Sequence, residues 1–313
     1  MWGYIVRRLL ATIPVVAVVA LVVFSILHFA PGDPAAVIAG DQATPEQIAA
    51  IRAQLGLDRP FHERFVLWLG DVLRGDLGTS IFSNLPVTTL FLQRLEPTIA
   101  LTVATTIVTV LLAVPIGVIA AWRAGSWVDR AVMTFAVLGF SFPVFVVGYI
   151  LIFVFSISLG LLPIQGYRSL DAGVWPFLRH LILPSLALGL SFMALIARIT
   201  RTSVLEVLSQ DHIRTARAKG LPTRQLLFNH ALPNAAVPII TIIGVGVAIL
   251  LGGVVVTESV FAIPGLGRLV VDAILHRDYP VIQGALLIFS GVYVLVNLTI
   301  DLLYVVIDPR IRY

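Results

Sequence analysis

The chain has no cysteine and only one lysine, Lys219, and just 12% of its 313 residues are charged. The lack of cysteine excludes disulfides, thiolate metal sites and cysteine nucleophiles. The lone lysine excludes a P-loop ATPase. That loop needs a lysine followed by Ser or Thr after spaced glycines, and Lys219 is followed by Gly220. The histidines are His28, His62, His180, His212, His230 and His276, and no two form a close ligand pair. Ser, His and Asp are too scattered for a hydrolase triad. The chain is therefore expected to carry no catalytic residue and to bind no metal or cofactor.

What fills the chain instead is apolar surface, with 58% hydrophobic residues. A soluble domain is about 45–50% apolar and about a quarter charged. A bilayer is the natural solvent for the surplus, since each spanning helix takes about 20 apolar residues. Charge-free windows mark six spans. They lie between Arg8 and Asp33, between Glu96 and Arg123, within 131–167, between Arg179 and Arg198, between Arg224 and Glu258, and between Asp278 and Asp301. The third window is long enough for one span and a re-entry or loop, and the fourth is short enough to continue as helix beyond the membrane. The first apolar run, Leu9 to Ala30, exceeds the about 7–15 residues of a signal-peptide core and reads as an uncleaved span. The expected fold class is an all-α membrane protein of about six transmembrane helices, with a helical extracytoplasmic insertion after the first.

Basic residues orient the spans. With the N-terminus inside, the inner segments hold Arg7, Arg8, Arg123, Arg130, Arg198, Arg201, Arg214, Arg217, Lys219, Arg224, Arg310 and Arg312. Only Asp129, Glu206, Asp211, Asp301 and Asp308 oppose them. Both termini are expected in the cytoplasm. Residues 31–97 then lie outside. Thr44-Pro45-Glu46-Gln47 reads as a capped helix start, with Gln47 where a capping box needs it. Phe61, Phe65, Trp68 and Val72 form a second helical stripe that Gly75 can end. The stripe packs locally at the membrane surface or meets a partner. Pro14, Pro115, Pro143 and Pro163 could each mark a kink.

The segment from Leu205 to Pro238 is the most informative. Ser209 or Asp211 can cap a short helix through Ile213–Lys219, Gly220 suits its left-handed end, and Pro222 stops it. Thr223 can cap a second short helix, which Leu232-Pro233 breaks. Small and basic residues on a helix joining two spans suit a groove on another protein, or form an ordinary positive-inside loop.

This segment resembles the conserved cytoplasmic EAA loop of ABC importer permeases. Ala216, Gly220 and Leu232-Pro233 stand in register with the pattern, and Arg214, Thr215 and His230 depart from it. The run from Ile213 to Gly220 looks like the version in the dipeptide, oligopeptide, nickel and glutathione permeases. Other stretches are similar to the same family. They are Pro31-Gly32-Asp33-Pro34, Leu55-Gly56-Leu57-Asp58-Arg59-Pro60, Gly75-Asp76-Leu77-Gly78, Glu258-Ser259-Val260-Phe261, Pro264-Gly265-Leu266-Gly267, Arg277-Asp278-Tyr279-Pro280 and Asp308-Pro309-Arg310-Ile311-Arg312-Tyr313.

The resemblance implies a type I ABC importer permease fold in a bacterial-type inner membrane. It implies half of a translocation pathway for peptides or a related small solute, with glutathione and nickel as further options. The implied partners are a related second permease subunit, two ATP-binding subunits that hold ATP and Mg, and an extracytoplasmic solute-binding protein. Coupling to the ATPases would run through His212, Ile213, Arg214, Thr215, Ala216, Arg217, Ala218, Lys219 and Gly220, with Leu232 and Pro233. Glu258, Phe261, Pro264, Gly265 and Gly267 would form an outer gate, though Glu258 and nearby Asp272 could equally cap local turns. The expected organisation is 1–94 as first span and outer helical region, 95–305 as transmembrane domain with its coupling loop at 209–233, and 306–313 as a cytoplasmic tail. The competing class is a self-sufficient secondary transporter or channel, which would usually show an internal repeat or midplane charges.

Overall fold

A computed structural model of the chain describes residues 2–29, 34–39, 43–54 and 58–307. The motifs at 31–33, 55–57 and 308–313 lie outside the described residues. Among those described there is no β-strand, only an isolated bridge between Thr79 and Pro86. In chain order the helices are α1 (Trp2–Phe29), α2 (Pro34–Ala39), α3 (Pro45–Gln54), α4 (Phe61–Leu73), α5 (Val87–Trp122), α6 (Trp127–Ser141) and α7 (Val144–Leu151). There follow a π-helical stretch at Ile152–Ser158, α8 (Val174–Leu208), α9 (Asp211–Ala218) and α10 (Thr223–Gln225). A second π-helical stretch, Leu226–Ala231, leads into α11 (Leu232–Asn234), α12 (Ala236–Val260), α13 (Leu266–Leu275) and α14 (Tyr279–Ile307).

Each of the six expected windows holds a helix among the described residues. Three helices among the described residues are long and apolar enough to cross a membrane outright: Val87–Trp122, Val174–Leu208 and the Tyr279–Thr299 part of α14. Two bent pairs, Trp127–Gly139 with Val144–Ser158 and Thr223–Asn234 with Ala236–Val247, bring the number to five. In α1 the apolar stretch is shorter, Leu10–Ser25. With 35 residues, α8 is about 52 Å long and outruns the about 30 Å hydrocarbon layer. It carries on past the membrane as the short fourth window suggested.

The prolines act unequally. Pro14 and Pro115 sit inside unbroken helices, and Pro163 lies in a loop. Only Pro143 breaks a span. Its ring forces the preceding Phe142 into an extended conformation (φ −96°, ψ 126°), which ends α6 before α7 begins. Leu232-Pro233 is not the expected break either. Proline near a helix start costs no hydrogen bond, so helix continues through Asn234 and the 64° bend follows at Ala235.

The chain divides into two compact units, Met1–Leu95 with Leu269–Val294, and Glu96–Arg268 with Leu295–Tyr313. In the first unit the capping box is present. Thr44 N donates to Gln47 Oε1 (2.9 Å) and Gln47 N to Thr44 Oγ1 (3.3 Å). The aromatic stripe of α4 packs locally, on α1. Phe61, Phe65 and Trp68 surround the Phe24 ring at 5.2, 5.4 and 5.3 Å. Such pairs are worth about 0.5–1.5 kcal/mol each beyond area burial. Gly75 ends α4 as expected, in a left-handed conformation (φ 84°) and with its N–H on Val72 O. Buried Asp278 gathers the 80–82 segment by accepting from Ser80 Oγ and from the N–H of Ile81 (3.1 Å).

In the second unit α8 is the centre, packed on α6, α7 and α12. One apolar cluster joins Leu101 of α5, Leu181 and Leu188 of α8, and Leu250 and Val254 of α12 with Phe261 and Ile263. A second lies at the other end of α8. There Val118 and Ala121 of α5 meet Val204 and Val207 of α8, Ile213 of α9, and Leu226 and Leu227. Close crossing of α5 and α8 requires glycine. A Cβ on Gly117 would lie 2.6 Å from Ala197 O and from the Thr200 side chain.

Candidate coupling surface and outer element

Helix α9 emerges from the end of α8 after a two-residue turn. Neither proposed cap acts. The N-cap is Gln210, without a side-chain hydrogen bond. Ser209 Oγ turns back to Glu206 O (2.7 Å), and Asp211 lies in the first turn, exposed, beside Arg214 at 3.3 Å. Its carboxylate still favours the helix N-terminus through the dipole. The C-terminus follows expectation. Gly220 is left-handed (φ 79°), Gly220 N donates to Arg217 O and Leu221 N to Ala216 O, which satisfies the last carbonyls. Pro222, not Thr223, precedes the next helical turn.

The helix has two distinct faces. Ile213 is 1% exposed and plugs into the apolar cluster at the end of α8, with Ala216 packed beside it. His212, Arg214, Thr215, Arg217, Ala218, Lys219 and Gly220 are all exposed. The structure thus brings seven of the nine helix candidates, His212 to Ala218, to one short element held by a single buried side chain and its small neighbour, with Lys219 as its C-cap and Gly220 closing it. Leu232 packs against the same cluster and Pro233 is exposed. Next to this helix an open groove of about 390 Å³ is lined by Arg224, Gln225, Phe228 and Asn229.

Sequence reasoning missed the ion pair that fixes this end of the unit. Asp129, in the first turn of α6, is 4% exposed. It accepts a bidentate pair from Arg201 on α8, the Nη2 bond being 2.7 Å, and a third bond from Gly125 N (2.9 Å). The signal was present in Ser126-Trp127-Val128-Asp129, a capping pattern in which Ser126 Oγ accepts from Asp129 N. Its long-range partner was not readable. Removing one member strands the other in a largely desolvated place. Arg201 keeps 21% of its side chain exposed, which softens that penalty. Asp129→Ala is expected to destabilise the chain by about 2–3 kcal/mol, read as a lower thermal unfolding midpoint in detergent. An unchanged midpoint would show that the pair contributes nothing net.

The outer-gate candidates also come together, at the end of α12. Glu258 is fully buried. Its Oε1 accepts from Thr98 Oγ1 (2.6 Å) and its Oε2 from Arg268 N (3.0 Å), while Thr98 Oγ1 accepts from Leu266 N (2.8 Å). Thr98 and Glu258 thereby satisfy two of the free N–H groups that start α13. Of the two roles open to Glu258, this geometry is that of a cap, and Asp272 is exposed. A Cβ on Gly265 would fall on the Glu258 carboxylate, and one on Gly267 would lie 2.6 Å from Val255 Cα. Phe261 is 2% exposed, and its carbonyl accepts from Gly166 N (2.8 Å). Pro264 alone of the five is exposed. Gln165 Nε2 donates to Val260 O (3.1 Å), clasping the 159–173 loop to the same element, and Tyr167 OH donates to Glu96 on α5 (2.9 Å). Burial first, then the Glu96 carboxylate, pushes the Tyr167 phenol above its ordinary range, so it stays a donor.

Comparison with known proteins agrees with this architecture. Residues 113–313 match the family described as binding-protein-dependent transport system inner membrane component, and residues 1–102 match the N-terminal family of the same transport systems. The chain is 57% identical over 310 residues to the probable peptide ABC transporter permease protein y4tP of Sinorhizobium fredii (strain NBRC 101917 / NGR234), covering 99% of each. It is 45% identical over 314 residues to the glutathione transport system permease protein GsiC of Escherichia coli (strain K12), covering all of both. The fold is also similar to a chain of the inward-facing MetNI methionine ABC transporter, with a TM-score of 0.58 at 18% identity over 70% of this chain and 96% of that one. The chain belongs to the binding-protein-dependent ABC importer permeases, integral proteins of the inner membrane.

Proposed function

We propose that this permease forms one half of the pathway of an importer for short peptides or a glutathione-type solute, and that α9 couples it to an ATPase subunit. The cargo reading rests on the peptide and glutathione names of relatives that match it from end to end. The coupling reading rests on one observation. Helix α9 keeps one side chain, Ile213, in the core and turns a basic, small-residue surface outward. A groove on a partner can seat such a surface without disturbing the spans. ATP binding that favours one arrangement of the ATPases would then shift α9, and α8 with it, biasing the permease between its two states. A second, related permease supplies the other half, two ATPase subunits hold ATP and Mg, and a solute-binding protein delivers cargo from outside. In this reading both termini are cytoplasmic, as the excess of arginine on the α9 side implies.

The test is reconstitution with the partner permease, the ATPases and the binding protein, followed by ATPase assays across a panel of peptides, glutathione and nickel. Several-fold stimulation that requires the binding protein together with one cargo class is expected. Solute movement by this chain alone, without ATPases, would overturn the reading in favour of a secondary transporter.

A further inference from the structure

The turn between α5 and α6 carries a feature that coupling does not use. Trp122, the last residue of α5, is 48% exposed, and Trp127, the first of α6, is 77% exposed. Arg123 lies with its guanidinium 5.4 Å from the Trp122 ring centroid and is itself exposed, as is Arg130. The one acid in this stretch, Asp129, is turned inward and occupied by Arg201 and Gly125 N. Gly125 at the tip (φ 81°) has nothing within 4 Å of where a Cβ would stand, so the turn faces open space.

These features select a ligand chemistry. No charged residue stands in α5 between Glu96 and Arg123, so the end of that charge-free run at Trp122 marks the level where hydrocarbon gives way to headgroups. Tryptophan settles at that level because its ring is apolar and its N–H is polar. Two arginines standing there without an outward acid offer guanidinium donors suited to phosphate. A zwitterionic headgroup would bring a cation that finds no acid to meet. We infer that the Trp122–Arg130 turn is a binding site for the phosphate headgroup of anionic lipids. Through Asp129 and Arg201 the occupied turn is fastened to α8, ten residues before α9 begins.

The experiment uses the full chain assembled with its partner permease, in detergent, first without and then with the ATPase subunits. Phosphatidylglycerol or phosphatidylcholine is titrated in, and bound lipid is counted by native mass spectrometry. Each basic residue near an anionic headgroup layer is worth about fivefold in binding. The wild type is expected to prefer phosphatidylglycerol by about tenfold or more, and R123Q/R130Q to lose that preference. The charge-matched pair R198Q/R224Q, also exposed at this end of the unit, is expected to keep it. Trp127→Ala is the second variant and should weaken retention of both lipids alike. Equal binding of the two lipids by the wild type overturns the inference. So does an equal loss in the R198Q/R224Q control, or unaltered retention in Trp127→Ala. Displacement of the lipid by inorganic phosphate would assign the turn to a free anion, and loss of the preference when the ATPase subunits are added would assign it to a protein contact. Either result also overturns it.

Discussion

Gly220→Trp is expected to cut ATP-driven uptake at least tenfold, a loss of about 1.4 kcal/mol or more, while leaving the permease folded. Two effects act on this residue and can be separated. The first is backbone strain. Gly220 is left-handed (φ 79°), and any L-residue there costs about 1–2 kcal/mol. The second is contact with a partner. Within this chain a Cβ at Gly220 meets nothing within 4 Å, so an indole finds room here and intrudes only on whatever docks against α9. Gly220→Ala carries the strain without the bulk. The alanine variant should lose a little thermal stability and retain most uptake. The tryptophan variant should unfold at the same temperature as alanine but fail to transport or to bind the ATPase. Normal uptake by Gly220→Trp would falsify the assignment of α9 as the coupling helix.

The second large effect is expected at the outer element. In Gly265→Ala the added methyl takes the place of the fully buried Glu258 carboxyl group. Moving it away removes the bonds from Thr98 Oγ1 and Arg268 N. Each buried polar group left without its partner costs about 1–3 kcal/mol, so the loss should reach about 2–5 kcal/mol. Glu258→Ala deletes the same bonds by another route and should fall in the same range. Both variants should unfold at lower temperature and show faster proteolysis between α12 and α13. If Gly265→Ala melted with the wild type, Glu258 would not be the cap described, and a role facing the pathway would regain its footing.

How much of this was legible follows from the range of the interactions. The Thr44–Gln47 box, the Gly75 and Gly220 helix ends and the apolar windows all depend on residues within a few positions of one another. Sequence carries such signals directly, and each stands in the structure. The short-range misreadings have a different cause. Ser209, Asp211 and Thr223 all had capping chemistry, but neighbouring backbone geometry chose Gln210 and Pro222 as the boundary residues. Leu232-Pro233 looked like a stop because proline is one inside a helix. At the start of a helical turn it is not, and Ala235 bends instead. What could not be read at all were the pairings across the chain. Asp129 finds Arg201, Thr98 finds Glu258, and Ser80 finds Asp278, each over a separation of 72 residues or more. Local pattern marks these groups as polar residues in or near apolar stretches and says nothing about their partners.

The division of labour within α9 has a consequence for how such systems diversify. The residue that fastens the helix, Ile213, is not among those that face outward. The outward residues can therefore be exchanged as a set without repacking the core beneath them. On the coupling reading, the address that tells one ATPase from another is written on a removable label. A permease could be moved to a new motor by rewriting six exposed side chains between His212 and Lys219, with its spans and its cargo left as they were.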